Sequence, residues 1–420
     1  MLLKRDKIKF EPGQGSIAIF AFIVFGAFLF ISLIKSHSYA MDETVFHYPN
    51  VLNFYKNGLA ATFNKEYSAA NTPLPYIIVA AVSKLFTPGI ALARIVTAFF
   101  SFLTFLLGMR ILARLNVAPL YSLILLFYPY FFLNSFVFYV INFGLFFCLA
   151  ALLLLNNTEK NYWNDLGAGV SLTLAILCQQ FYLMLLAAVL LVRFLQYIKE
   201  REIAGSLQRF IASSFLLGLP ALVPLAVFYG WGGLVHPNFN VHKLSFFPTA
   251  LTGILMVTGF YFAPFAVQSI KKSDKWQLAG ALLGGAVLAI GFRPAYNDFN
   301  GPGIFNGIVF HIIEIVSKKM ALAGTAMMIF LCGMGLLVFY KLAATKKNIF
   351  DAILFTGCVL LAAAYTMNAI IGERHLLPLF FLLFFLILPR LKLGTVRAYL
   401  PFMFAFGVGY YFYWLFIKYG

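Results

Sequence analysis

The chain has 420 residues, 62% of them hydrophobic and 18% aromatic, with a mean hydropathy of +0.89 and only 11% charged. So few charged groups would not coat a water-soluble globule of this size, which excludes soluble classes and indicates a polytopic membrane protein. The net charge of +17 does not point to nucleic acid, because the Lys and Arg residues fall in short clusters between apolar runs, the pattern of topology signals.

Lys4, Arg5, Lys7 and Lys9 precede an apolar run over 17–34 that ends in K-S-H-S-Y-A. Ser38-Tyr39-Ala40 resembles a signal-peptidase site, but about 18 apolar residues exceed the roughly 7–15 of a signal sequence. The run is therefore expected to be a retained first span with its basic end in the cytoplasm. Next comes Tyr39 to Tyr76, with Y-A-M-D-E-T-V-F-H-Y-P at its start and N-T-P-L-P-Y at its end. Asp42, Glu43 and His47 are costly to keep in so apolar a chain, and this loop is the expected catalytic centre. Val45 to Asn57 suits a short interfacial helix that holds Asp42 at the depth of a lipid-borne phosphate. Thr72-Pro73 and Pro75 are expected to fix the entry to the second span.

Further apolar runs lie near 73–87, 89–108, 118–133, 136–155, 167–192, 209–229, 248–269, 277–293, 320–340, 350–370, 375–389 and 398–418. The expected count is about 12 to 14 spans. Alternating sides from a cytoplasmic start places Lys199 with Arg201, Lys271 with Lys272 and Lys275, Lys341 with Lys346 and Lys347, and Arg390 with Lys392 and Arg397 inside. Arg110 and Arg114 fall outside, against that rule. Cys148, Cys178, Cys332 and Cys358 sit in apolar segments without paired spacing, as buried thiols do, and indicate neither a disulfide framework nor a zinc site.

Four polar, aromatic and Gly/Pro-rich loops then share the outer side: 36–72, 231–247, 293–319 and 371–375. Between them they carry Asp42, Glu43, His47, Asn71, His236, His242, Lys243, Tyr296, Asn297, Asp298, Asn300, His311, Glu373, Arg374 and His375. Ionisable groups gathered on one face indicate an active site there. Nucleotide sugars are cytoplasmic, so an outer enzyme needs a donor delivered in the membrane, and a polyprenyl-phosphate sugar meets that need. Its site requires a carboxylate base for an incoming hydroxyl and a cation for the leaving phosphate.

Asp42 or Glu43 suits the first requirement, and Arg374, with its planar fork, suits the second. Pairing of Arg374 with Glu373 or with a lipid headgroup is the competing reading. His242 and Lys243 are candidates for the donor phosphate or sugar, with interfacial snorkelling the other reading of Lys243. Gln179 and Gln180, placed inside an apolar run, either bond between helices or line the donor groove and acceptor cavity. The stretch F-R-P-A-Y-N-D-F-N-G-P-G-I-F-N-G over 292–307 has the content of an irregular loop, lacks the Walker spacing, and offers Asp298 as a second carboxylate at the acceptor entrance.

M-D-E-T-V-F-H-Y-P at 41–49, followed by N-T-P-L-P-Y at 71–76, resembles the first outer loop of the GT-C superfamily of integral-membrane glycosyltransferases. Within it the resemblance is to the dolichyl-phosphate-glucose-dependent α-1,2-glucosyltransferases, which show D-E-x-F-H-x-P and then T-x-P. Cys178-Gln179-Gln180 stands where that family has R-Q-T. Trp231-Gly232-Gly233 with His242 and Pro248 is similar to its N-G-G loop with downstream His and F-P. Glu373-Arg374-His375 with Pro378 resembles its E-x-R-Y-x-x-x-P. The matches run in order over most of the chain. Asn238 replaces an acidic residue, Cys178 an arginine and His375 a tyrosine, which leaves sugar and acceptor open.

The resemblance implies an all-α polytopic membrane protein, one GT-C-type bundle over 1–420 with an extracytoplasmic first loop. It implies inverting transfer of a hexose, glucose first, from a polyprenyl- or dolichyl-phosphate sugar to a hydroxyl of a glycan or lipid-linked acceptor, with no cofactor and no obligatory metal. By that analogy Asp42 is the base and Glu43 orients the acceptor or supports the loop, or the two exchange roles. Arg374, His242, Lys243, His47 and His375 would serve the donor. Gln179, Gln180, Asn71, Asp298 and Glu373 would line the acceptor cavity.

Two alternatives stand beside this reading. The same fold could transfer mannose or an aminosugar to lipid A, protein or a cell-wall polymer. A lipid-linked oligosaccharide flippase would instead spread ionisable groups through both halves of the bundle. Expected partners are the carrier-linked sugar, a glycan or glycolipid acceptor and membrane lipids, with no nucleic acid. The bacterial inner membrane is the expected location ahead of the endoplasmic reticulum.

Overall fold

The computed structural model describes residues 13–35, 43–157, 161–203, 205–238, 246–270, 275–296, 304–345, 348–367 and 370–418. Asp42, His242, Lys243 and Asp298 lie outside the described residues. In chain order the helices begin with α1 (Gln14–Ile34), α2 (Tyr48–Asn57), α3 (Leu74–Ser83), α4 (Ile90–Arg114), α5 (Ser122–Leu126), α6 (Pro129–Asn134) and α7 (Ile141–Leu155). They continue with α8 (Tyr162–Ile176), α9 (Leu183–Glu200), α10 (Ser206–Gly218), α11 (Leu222–Trp231), α12 (Pro248–Tyr261) and α13 (Ala263–Ile270). The last are α14 (Lys275–Gly291), α15 (Ile308–Lys319), α16 (Ala321–Ala344), α17 (Ile349–Tyr365), α18 (Leu377–Ile387) and α19 (Leu393–Phe412).

Five helical stretches among the described residues are long and apolar enough to cross a membrane: Gln14–Ile34, Ile90–Arg114, Gln180–Glu200, Ser206–Trp231 and Ala321–Ala344. Helix α1 shows why: its 21 residues carry no charge, its length of about 30 Å matches a hydrocarbon core, and Ile19, Phe22, Ile23 and Phe30 face outward as lipid-exposed side chains do. Shorter apolar helices of 10–17 residues accompany these five, and the chain is an integral membrane protein. Helix α18 lies at the centre, with all eleven residues buried. Close helix approaches rest on glycine, as where α12 meets α16: a Cβ at Gly259 or Gly335 would sit 2.0 or 2.1 Å from a backbone oxygen of the other helix.

Hydrogen bonds between elements sort the bundle into two ends. At one, Arg114 donates to the Leu153 carbonyl (2.6 Å), Tyr121 to that of Leu391 (3.2 Å), and Gln268 to that of Arg390 (2.9 Å). Arg390 also pairs with Asp351 (2.8 Å) and donates to the Thr345 carbonyl, which puts its basic cluster and the end of α16 with Lys341 at this end. At the other, Thr72 Oγ1 donates to the Ile176 carbonyl (2.7 Å), Trp231 Nε1 to that of Thr62 (2.8 Å), and the Phe247 amide to that of Thr366 (2.7 Å). A small parallel sheet belongs to this second end: β1 (Ala295–Tyr296), β2 (Ile304–Asn306) and β3 (Ile370–Gly372), in that order, with Ile304 opposite Ile370 and Asn306 opposite Gly372.

The expected span over 118–133 is broken into the short helices α5 and α6, and two further expected spans change. The run over 73–87 forms only the ten-residue α3, about 15 Å long and too short to cross. The run over 167–192 is not one span but the end of α8, a 3-10 turn at Gln180–Tyr182 and α9. The latter two changes offset in number but reverse the ends between them. Arg110 and Arg114 therefore join the basic end, and the exception to the charge rule disappears. Gln179 and Gln180 move from mid-span to the opposite end. We expect Arg114→Cys and Lys392→Cys to react with an impermeant thiol reagent from the same face of sealed vesicles, and Lys65→Cys from the other. The four native cysteines are buried and should stay silent.

The loop over 293–319 is also more ordered than its composition indicates. Its second half is the amphipathic helix α15, with Val309, Phe310 and Ile313 buried and Lys318 and Lys319 in its last turn.

Candidate active site opposite the basic end

Glu43 opens a single π-helical turn, Glu43–His47, that runs directly into α2. Its carboxylate is fully buried and gripped by Arg94 of α4, Nε to Oε1 at 2.9 Å and Nη2 to Oε2 at 2.6 Å. The Phe138 amide adds a third donor to Oε1 at 2.8 Å. Arg94 in turn donates through Nη1 to the Ser32 carbonyl (2.7 Å), while Ser32 Oγ donates to the Phe136 carbonyl (2.6 Å). A buried carboxylate so engaged anchors its loop to α1, α4 and the α6–α7 junction. That geometry fits loop support rather than proton transfer, and it fixes the chain immediately after Asp42.

His47 is buried against Tyr76, with Nδ1 3.0 Å from the Tyr76 hydroxyl, and its ring meets Tyr139 edge-on at 4.9 Å. Tyr139, in the α6–α7 junction, connects this loop to the turn at Glu373–Leu376. Its ring carries the Arg374 guanidinium at 4.8 Å from the centroid, and its hydroxyl lies 3.2 Å from His375 Nε2. His375 Nδ1 accepts from the Gly372 amide at 3.0 Å, which assigns a neutral imidazole the Nε2–H tautomer, donating toward Tyr139. Arg374 and Tyr139 line a recess with Tyr130, Asn134, Tyr410 and Trp414.

The remaining candidates split into three groups. Asn71 gives its carbonyl to the Tyr67 hydroxyl, and Gln180 Nε2 donates to the Ala70 carbonyl at 3.0 Å, so this glutamine pins the first loop to the turn before α9. Gln179 is buried beside it, and the Oε1 atoms of both glutamines have no hydrogen-bond partner among the described residues. On the side of the 231–238 loop, Trp231 and His236 pack on Tyr67, and Asn238 Nδ2 donates to the Lys65 carbonyl at 2.7 Å.

Glu373 forms the third group. It is fully buried beneath the start of α15, where Oε1 accepts from the Val309 and Phe310 amides at 2.7 and 3.3 Å and Oε2 from the Tyr261 hydroxyl at 3.4 Å. Arg374 is not among its partners within the described residues, so these bonds do not support the competing reading of a Glu373–Arg374 pair. Glu373 instead joins β3 to α15 as the acceptor for that helix's N-terminal amides.

Burial, only partly opposed by these donors, pushes the Glu373 carboxyl up to about 8. A raised acid pKa makes the folded form bind the extra proton. The stabilisation is complete below the ordinary value of 4.5 and is lost as pH rises through about 8. We expect protease resistance of the α15 segment to decline from about pH 5 by up to about 1.4 kcal/mol per unit and to level off above about pH 8. In Glu373→Gln, which keeps the acceptor and cannot ionise, the profile should be flat; a wild-type profile that is already flat would contradict the assignment.

Sequence reading missed Arg94 and Tyr139. A lone arginine inside an apolar run is expensive without a partner, so A-L-A-R-I-V held a usable signal. Tyr139 is one of 22 tyrosines and had none.

No protein-family model matches the chain, and no curated protein sequence is significantly similar to it. Among solved structures it is similar to apo ArnT from Cupriavidus metallidurans, with 15% identity and a TM-score of 0.44 over 96% of this chain and 77% of that one. It is also similar to the same protein bound to undecaprenyl phosphate, with 15% identity and a TM-score of 0.42 over 94% and 78%.

Proposed function

We propose that this chain is a polyprenyl-phosphate-sugar-dependent glycosyltransferase, and that it transfers its sugar with inversion to a hydroxyl of a glycan or lipid-linked acceptor. The observation that carries the reading is the meeting, at the end opposite the basic clusters, of a guanidinium on an aromatic shelf with an acidic loop anchored through Glu43. Asp42 takes the proton of the acceptor hydroxyl, whose oxygen attacks the anomeric carbon as the bond to the carrier phosphate breaks. The phosphate leaves with the bonding pair, and Arg374 offsets its growing charge. Glu43 holds the base loop, His47 and His375 brace Tyr139, and Gln179 Oε1, which has no partner among the described residues, offers an acceptor to a substrate hydroxyl.

Glucose is placed first among donors on the D-E-x-F-H-x-P and E-x-R resemblances. Mannose and aminosugars follow, because His375 and Asn238 depart from that pattern. The test supplies purified protein in lipid nanodiscs with radiolabelled polyprenyl-phosphate glucose, mannose or aminosugar, together with extracted membrane glycolipids. Label moving into a new product is the expected result, and the carrier that supplies it names the sugar. Failure with every carrier, with carrier-linked glycan crossing a sealed bilayer instead, would replace the enzyme with a transporter.

A further inference from the structure

We propose that Tyr139 is a positioning residue that sets the carrier-phosphate cation in register with the base loop; this rests on the transferase reading above. The junction between α6 and α7 touches both halves of the site. Its Phe136 carbonyl is held by Ser32, its Phe138 amide by Glu43, and the Tyr139 ring by His47. On its other side the same ring carries Arg374, and the Tyr139 hydroxyl meets His375.

Glu43 directly follows Asp42 in the chain, so the position of Tyr139 is referenced to the base through one carboxylate and one amide. Arg374 is then referenced to Tyr139. A guanidinium on a flexible side chain loses rotamer freedom when it binds phosphate, and an aromatic face that already holds it reduces that loss. The ring also keeps the cation from folding back into the turn that bears it. Tyr139 itself acts only through Arg374.

The test measures binding of a short-chain polyprenyl monophosphate, without sugar, to purified protein. Tyr139→Leu removes the shelf and should weaken binding by about 5- to 30-fold, while Tyr139→Phe keeps the ring and should stay within about threefold of wild type. Because the effect runs through Arg374, Tyr139→Leu should cost nothing further in an Arg374→Ala background. A structural role elsewhere would weaken binding equally in both backgrounds and would overturn the proposal. So would wild-type affinity in Tyr139→Leu.

If Tyr139→Leu does not fold, fluorinated phenylalanines at 139 give the same answer without a change of shape. Affinity should fall with each added fluorine, because fluorine withdraws charge from the ring face. An affinity that ignores fluorination would sink the idea. Wild-type protein that binds no polyprenyl monophosphate at all would remove the transferase reading and this inference together, which separates that failure from the failure of the inference alone.

Discussion

Replacing Arg94 by methionine should lower stability by about 3–5 kcal/mol and release the first loop, because it leaves a buried carboxylate without its counter-ion. Methionine fills much of the same volume, so loss of packing is not the main term. Glu43 has no route to water, being 0% exposed against a partner that is 1% exposed. Arg94 also satisfies the Ser32 carbonyl, which loses its donor in the variant. The double variant Glu43→Gln with Arg94→Met should recover part of the loss, since an amide is cheaper to bury than an unpaired charge. The checks are thermal unfolding in detergent and protease access to residues 43–72. A loss under about 1 kcal/mol in Arg94→Met would place the pair among surface ion pairs and remove the anchor.

How far the chain could be read beforehand follows from where its information is local. Apolar runs and basic clusters are local, so the membrane class, most helices and the basic end were legible from residues alone. The errors arose where length alone decides. Leu74–Ser83 is as apolar as a span but stops after ten residues at Ser83 and Lys84, and Gln179 and Gln180 break a run that hydropathy averages across. Both errors lie at turns against the first loop. Correcting them also brings Arg110 and Arg114 into line with the charge rule.

The site was legible as a set of loops and not as a set of contacts. Glu43, His47, Arg374 and His375 stand out because ionisable groups are scarce here, and their gathering at one end follows from alternation of sides. Their partners are another matter. Phe138 contributes only an amide, Gly372 only an amide, and Tyr139 a ring of a kind found throughout the chain. Glu373 shows the same limit: its motif position marks it as functional, while its bonds to Val309 and Phe310 make it the cap of a helix that composition had marked as loop.

Asp42→Asn and Glu43→Gln should separate the two acidic neighbours by where each loses function. Asparagine keeps the shape of the aspartate and removes its charge, so it should fold normally, bind carrier phosphate normally and lose about 10²–10⁴-fold in kcat. Glu43→Gln should show the reverse emphasis. Its carboxylate already accepts three hydrogen bonds from Arg94 and Phe138 and is fully buried, which places it poorly for taking a proton from substrate. Its loss should appear as lower thermal stability and weakened substrate binding, with kcat at saturation reduced far less. An Asp42→Asn enzyme with wild-type kcat beside an inactive, stable Glu43→Gln enzyme would exchange the roles. It would also require the Arg94 pair to open during turnover, and Arg94→Lys, which keeps the charge but not the bidentate grip, should then raise turnover by loosening Glu43. With Glu43 as the anchor, Arg94→Lys can only cost stability.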